Sequence, residues 1–106
     1  MFYKKNSDGY RELVPGVEMK TLAYGERTSF TEVTFKKGSI IPIHNHIHEQ
    51  TGYLIKGKLL FNIDGTEKLA EPGDSWNIAS NVKHSAEALE DCVVIEVFSP
   101  VREEYL

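Results

Sequence analysis

Residues 38–57, with the sequence GSIIPIHNHIHEQTGYLIKG, are the stretch that decides the fold and the chemistry of this chain. The flanking segments have strand composition, and three of the chain's four histidines lie between them. His44 and His46 share one face of an extended strand, because side chains alternate with period two. Two of their ring nitrogens can then converge on one metal ion at about 2.1 Å. The cluster therefore predicts a metal site rather than a polar loop whose histidines contact only water.

The residues that follow this histidine pair predict a bend in the chain. Gln50 has the same parity as the pair but lies too far along a straight strand, so we expect a bend over residues 47–49. His48 and Glu49 lie between these positions, and we expect both to face solvent or to contact the site from outside. Parity excludes Glu49 from the ligand set.

Turn dipeptides divide the rest of the chain into short segments of strand composition. Residues 51–56 and 58–64 flank Gly57 as a hairpin-like pair, and Asp64-Gly65 predicts a hairpin turn. Pro42 restricts its strand to an edge or a bulge. Further strands are predicted at 17–24, 29–36, 67–70, 75–78 and 92–98, with weaker signals in residues 1–16 and after His84. With only a final turn expected at 101–106, this pattern predicts an all-β sandwich or barrel in one domain, residues 1–106.

Composition and charge exclude several classes of partner. The net charge of −4, with no basic run, argues against nucleic acid. No apolar run is long enough to span a membrane, and the opening MFYKK is too charged for a signal peptide. The single cysteine, Cys92, suits a reducing cytoplasm and lies in an apolar strand, where we expect it to be buried. We also expect a homodimer that covers exposed strand edges.

Two motifs resemble those of the cupins. The first is Gly38, His44-Asn45-His46, Gln50 and Gly57, at cupin spacing. The second, Pro72-Gly73-Asp74 followed by residues 78–84, is looser: Ala79, Asn81 and Ala88 depart from the usual proline, glycine and asparagine. Asn81 can still adopt a left-handed backbone. The resemblance implies a jelly-roll β-barrel with a divalent metal in its mouth, held by His44, His46, Gln50 and His84.

Two longer segments resemble the KdgF-type cupins, which open unsaturated uronate sugars to linear keto-acids. These segments are HNHIHEQTGYLIKGKL at 44–59 and EVFSPVREEYL at 96–106. Members of that group line their pocket with an aspartate, a phenylalanine and an arginine, and these positions correspond to Glu96, Phe98 and Arg102. Glu96 is a departure, because its extra methylene moves the carboxylate by about 1 Å, a displacement that can affect activity strongly.

The residues themselves indicate which chemistry such a pocket supports. Three imidazoles and an amide suit Zn²⁺, Ni²⁺, Fe²⁺, Mn²⁺ or Co²⁺ acting as a Lewis acid. Glu96 interrupts an apolar strand, so it is either a charge at the barrel mouth or a general acid or base beside the metal, and we favour the second. Arg102 binds a substrate carboxylate or forms a surface ion pair with Glu103 or Glu104. Four aromatic side chains either wall a sugar pocket or belong to the core, and we assign all but Phe61 to the pocket: Tyr53, Phe61, Trp76 and Phe98.

The leading hypothesis is therefore a metal-dependent enzyme that opens and ketonises 4,5-unsaturated monouronates, with Glu96 as acid/base and Arg102 on the carboxylate. One alternative is an iron-dependent cupin dioxygenase that uses the open metal positions for O₂. The other is a non-catalytic cupin module that binds a metal and a small molecule. Fold cannot separate these hypotheses, because one scaffold hosts many functions.

Overall fold

Ten strands and one short 3₁₀ turn make up the chain, and the computed structural model describes all of residues 1–106. No helix in it has the length and apolar character needed to cross a membrane. The strands are β1 (Arg11–Val14), β2 (Val17–Tyr24), β3 (Ser29–Phe35), β4 (Ile40–His44), β5 (Glu49–Lys56), β6 (Leu59–Ile63), β7 (Thr66–Ala70), β8 (Ser75–Ile78), β9 (His84–Ala88) and β10 (Cys92–Ser99), and the 3₁₀ turn is Glu103–Tyr105.

The strands form two antiparallel sheets that face each other as a jelly roll. The six-stranded sheet has the order β1-β2-β3-β10-β5-β8, and the four-stranded sheet has the order β4-β9-β6-β7. The prediction of an all-β jelly roll is thereby confirmed. Strand β10, the most apolar segment, lies inside the larger sheet between β3 and β5, where both of its edges are paired.

Period-two alternation explains which side chains fill the space between the sheets. Strand β3 alternates strictly between buried and half-buried residues, and Val33 and Phe35 point into the core. The other sheet contributes Leu59 and Phe61 to the same cluster. Cys92 is buried in it as predicted, and burial raises the pKa of its thiol.

Several local predictions are confirmed. Pro42 lies in β4, an edge strand whose pairing with β9 shifts register between Ile41 and His44. Asp64 and Gly65 both have positive φ and join β6 to β7 as a hairpin. Asn81 has a φ of 65°, so asparagine supplies the left-handed residue in this loop.

The hairpin-like pairing across Gly57 is wrong. Strand β5 pairs with β8 and β10 in one sheet, whereas β6 pairs with β7 and β9 in the other. Gly57, with a φ of 98°, turns the chain from one sheet to the other beside the backbone of Asp91. Two short strands on either side of a glycine have the same sequence pattern whether they pair with each other or belong to different sheets. Which arrangement forms depends on strands that are distant in the sequence.

Candidate metal centre

Three histidines meet at one end of the four-stranded sheet. His44 ends β4 and His84 begins β9, and the two are direct cross-strand partners. His46 lies beyond the end of β4, in the loop before the bend at residues 47–48, where we predicted a bend. The ring centroids of His44 and His84 are 4.2 Å apart, and that of His46 lies 5.5 Å and 5.0 Å from them. Two distant segments therefore supply one imidazole cluster.

Hydrogen bonds between two loops hold His46 in place. The backbone N–H of Asn81 donates to the carbonyl oxygen of His46 at 2.7 Å. The hydroxyl of Ser80 donates to the carbonyl oxygen of Ile47 at 2.6 Å. The loop before β9 thus braces the loop after β4, so that His46 does not depend on a strand for its position.

The Nδ1 atom of each of the three rings lies next to a backbone carbonyl oxygen. These contacts join His44 to Pro42 at 2.9 Å, His46 to His48 at 2.9 Å and His84 to Val82 at 2.8 Å. A carbonyl oxygen only accepts, so each Nδ1 carries a proton, and in the neutral ring Nε2 is then the nitrogen that keeps its lone pair. Such bonds orient metal-binding imidazoles and set their tautomer.

The electrostatic surroundings of His46 and His84 favour the neutral imidazole. Burial lowers the pKa of His46 to about 4, with help from the positive charge of Arg102 and from His84. Burial is also the main cause that lowers the pKa of His84. At neutral pH both rings are therefore uncharged, and an uncharged imidazole is the form that binds a metal.

These observations show that the residues present fit a metal ion. One ligand nitrogen from each of His44, His46 and His84 lies within 4.8 Å of the other two. His46 Nε2 is buried and has no hydrogen-bond partner, which is costly for a polar atom unless something binds it. Three convergent imidazole nitrogens suit a divalent transition metal.

The six-stranded sheet presents a second group of polar side chains to the same space. Gln50 is buried on the inner face of β5, and its Nε2 donates to Glu96 Oε2 at 2.6 Å. Trp76 Nε1 donates to the same oxygen at 3.2 Å, and Glu96 Oε1 accepts no hydrogen bond from the protein. Burial raises the pKa of Glu96, although the two donated bonds and the charge of Arg102 act against it.

Arg102 lines the same cavity and forms an ion pair with Glu104, which is one of the two alternatives that the sequence left open. Its side chain is 12% exposed, and its Nε is 3.6 Å from an oxygen of Glu104, which is itself 57% exposed. The guanidinium carbon lies 4.1 Å from the ring centroid of Tyr105 and 4.9 Å from that of Phe98. Because its side chain lines the cavity and its guanidinium lies over two aromatic rings, Arg102 is not a surface residue, even though it contacts a surface glutamate.

A cavity of about 270 Å³ between the sheets connects these groups. His44, His84, Gln50, Glu96 and Arg102 line it at the polar end. The remaining wall is largely apolar; it includes Phe61, Trp76, Phe98 and Tyr105, together with Leu13 and Val14 of β1. This volume holds one small molecule.

Tyr53 was expected to wall the pocket, but the structure places it elsewhere. It does not line the cavity and is 45% exposed. Its neighbours Gly52 and Leu54 occupy inner-facing positions of β5. Because side chains alternate along a strand, Tyr53 lies on the outer face. Sequence alternation alone does not say which of the two faces is the inner one.

One site residue escaped the sequence analysis. Tyr105 lines the cavity because the 3₁₀ turn folds back, with the hydroxyl of Thr21 donating to its carbonyl oxygen at 2.7 Å. His48 contacts the site from outside, which is one of the two alternatives expected for it: it is only 7% exposed and packs against the Phe98 ring. Glu49 is exposed, as parity indicated. Only the unusual density of aromatics and charges in the ending 96–106 signalled Tyr105 in advance.

The chain matches one protein-family model and is similar to several solved structures. The cupin domain family model matches residues 31–98. The structure of KdgF from Halomonas sp. is 30% identical, with full coverage of both chains and a TM-score of 0.92. An RmlC-like cupin from Shewanella frigidimarina is 25% identical over all of this chain and 96% of its own, also at 0.92. A predicted oxalate decarboxylase from Thermotoga maritima, at 19% identity, coverages of 94% and 99% and a TM-score of 0.80, shows likeness of fold alone. No curated protein matches the chain.

Proposed function

This chain belongs to the cupin family, and we propose that it is a metal-dependent enzyme that converts a 4,5-unsaturated monouronate to a linear keto-acid. The observation that carries the proposal is that Glu96, Arg102, His44 and His84 all border one cavity. The identity to KdgF of 30% over both full chains supports the same substrate class, because the KdgF-type cupins that this sequence resembles open such sugars.

We assign the metal to His44, His46, His84 and Gln50. The amide nitrogen of Gln50 donates to Glu96, which leaves the amide oxygen as the available ligand atom. Zn²⁺, Ni²⁺, Fe²⁺, Mn²⁺ and Co²⁺ all suit this donor set. Such an ion supplies Lewis-acid polarisation of an oxygen ligand.

Arg102 binds the carboxylate of the sugar acid. Its side chain lines the cavity, its Nε has no hydrogen-bond partner, and its guanidinium carbon lies over the rings of Phe98 and Tyr105. A planar guanidinium fork matches a carboxylate with two parallel hydrogen bonds. Phe61, Trp76 and Phe98 offer apolar surface to the carbon faces of the ring.

Glu96 moves the proton. Ring opening breaks the C1–O5 bond while the anomeric hydroxyl loses its proton and becomes the aldehyde oxygen. The enol that is left at C5 becomes a ketone when C4 gains a proton, so the net change is an isomerisation. Oε1, which accepts no protein hydrogen bond, is the atom that takes and returns this proton. Because burial raises the pKa of Glu96, its carboxylate is a stronger base than that of an exposed glutamate.

The test is to incubate purified protein, loaded with Zn²⁺, Ni²⁺ or Mn²⁺, with the unsaturated uronate and to follow its ultraviolet chromophore. We expect accelerated loss of the chromophore and formation of the keto-acid. Glu96→Gln keeps the size of the side chain and an oxygen for its two donors, so the variant should retain metal but lose about 100-fold or more in rate. If no metal form accelerates the reaction, the proposal is wrong. Uronate binding without turnover would instead identify a binding module.

We also propose that residues 1–106 form one cupin domain that works as a homodimer in the cytoplasm. Tyr53 and Ile55 expose apolar surface on the outer face of β5, next to the half-buried Ile95 of β10. A second copy covering this face would remove that surface from water. The free thiol of Cys92 suits a reducing compartment. The molar mass in solution, measured by light scattering, tests the dimer.

A further inference from the structure

Gly52 occupies the middle of a row of three residues on the inner face of the six-stranded sheet. It pairs with Glu96 of β10 on one side and with Trp76 of β8 on the other. Neighbouring strands are about 4.8 Å apart, so the backbones of Glu96 and Trp76 are separated by roughly 10 Å. Their side chains nevertheless meet, with Trp76 Nε1 at 3.2 Å from Glu96 Oε2. They can do so because the residue between them has no side chain.

The indole of Trp76 fills the space that a side chain at position 52 would need. A Cβ on Gly52 would lie 2.3 Å from Nε1, 2.4 Å from Cε2 and 2.6 Å from Cζ2 of the indole. These separations are far below van der Waals contact, so the indole would have to move. The φ of Gly52 is not in the left-handed region. Space, rather than backbone conformation, therefore requires glycine here.

The position of the indole determines how the Glu96 carboxylate is held. Trp76 Nε1 and Gln50 Nε2 both donate to Oε2, which fixes the plane of the carboxylate and leaves Oε1 for a ligand. With the indole displaced, Oε2 would keep one donor and the carboxylate could rotate about its last bond. A catalytic group misplaced by about 1 Å can lose roughly 100-fold in rate.

We propose that Gly52 is a positioning residue that acts through Trp76 to hold the Glu96 carboxylate in its reactive orientation. This inference rests on the proposed function for its effect on rate. Its first link, from Gly52 to Trp76, does not depend on any activity. Trp76 is the only tryptophan in the chain, so the tryptophan bands of the near-ultraviolet circular dichroism spectrum report on this indole alone.

The test compares Gly52→Ala, Trp76→Phe, Trp76→Ala and the double variant Gly52→Ala/Trp76→Ala. Gly52→Ala should change the tryptophan dichroism, lower the unfolding midpoint and reduce kcat by about 10- to 100-fold, a larger change than the one in KM, with metal content unchanged. Trp76→Phe, which keeps a ring but has no N–H, should lose kcat similarly. Gly25→Ala is the matched control, because a Cβ there meets nothing within 4 Å and φ is not left-handed. It should change none of these quantities.

The double variant decides whether Gly52 acts through the indole. Trp76→Ala removes the atoms that a Cβ would meet, so adding Gly52→Ala should change the unfolding midpoint and kcat of that variant little, less than about threefold in kcat. If Gly52→Ala has the same effect with and without the indole, or leaves the dichroism and kcat unaltered, the inference is wrong. If Trp76→Phe keeps full kcat, the hydrogen bond to Glu96 has no positioning role. If the wild-type protein does not turn over uronates, the proposed function fails, and the dichroism and midpoints still decide the link from Gly52 to Trp76.

Discussion

His44 and His84 face each other as cross-strand partners of β4 and β9, although 39 residues separate them in the chain, with ring centroids 4.2 Å apart. The edge strand β4 ends at this pair, so His46 of the following loop completes the cluster without leaving the mouth of the barrel. Sheet register, rather than sequence proximity, thus determines the geometry of the candidate metal centre.

Removal of His46 should abolish stoichiometric metal binding. In His46→Ala, two of the three clustered nitrogens remain, and we expect affinity for Zn²⁺ to fall by at least about 100-fold. His48→Asn is the matched control: it removes a nearby buried imidazole but keeps the backbone carbonyl that accepts from His46 Nδ1. Titration calorimetry of protein first stripped of metal measures both affinities. Equal affinity in His46→Ala and wild type would contradict the assignment.

Acid should destabilise the metal-free protein through His46. Its pKa is about 4 in the folded protein and about 6.5 when unfolded, so between these values the unfolded state binds more protons. Stability is therefore lost as pH falls from about 6.5 towards 4. Each pKa unit corresponds to about 1.4 kcal/mol, and partial exposure reduces the total to about 2 kcal/mol.

Comparison with His46→Asn isolates this contribution. The raised pKa of Glu96 acts with the opposite sign, because it favours the folded state at low pH, but it is present in both proteins and largely cancels. Urea unfolding at pH 7 and at pH 4.5 should show a smaller loss of unfolding free energy in His46→Asn than in wild type. Identical losses would show that His46 is not held neutral by burial.

Gly57→Ala should destabilise the fold strongly. The residue has a φ of 98°, and a Cβ would lie 2.3 Å from the carbonyl oxygen of Asp91 and 2.7 Å from Cys92 Sγ. Backbone strain and this overlap together should cost about 3 kcal/mol or more. Gly65→Ala is the control, since it has a φ of 85° but open space, and should cost only about 1–2 kcal/mol. Chemical denaturation measures the difference, and equal losses would contradict a steric role for Gly57.

The features that could be predicted from the sequence are those that depend on neighbouring residues. Strand positions, the hairpin at Asp64-Gly65 and the bend after His46 all follow from alternation and turn chemistry, and the structure confirms them. The pairing across Gly57 and the inner placement of Tyr53 failed, because each depends on which distant strand is the neighbour. Contacts between side chains of separate strands, such as the hydrogen bond from Trp76 to Glu96, could not be predicted from the local sequence pattern either.

Arg102→Lys should weaken binding of the acid more than it slows turnover. Lysine keeps the positive charge but has neither the planar fork for a carboxylate nor the delocalised guanidinium that packs against Phe98 and Tyr105. We expect KM for the uronate to rise about tenfold, with kcat within about threefold, since a ground-state contact acts mainly on binding. Arg27→Lys, an exposed exchange between β2 and β3, is the matched control and should change neither constant. Steady-state kinetics on metal-loaded protein gives both values, and an unaltered KM in Arg102→Lys would mean that the guanidinium does not bind the substrate carboxylate.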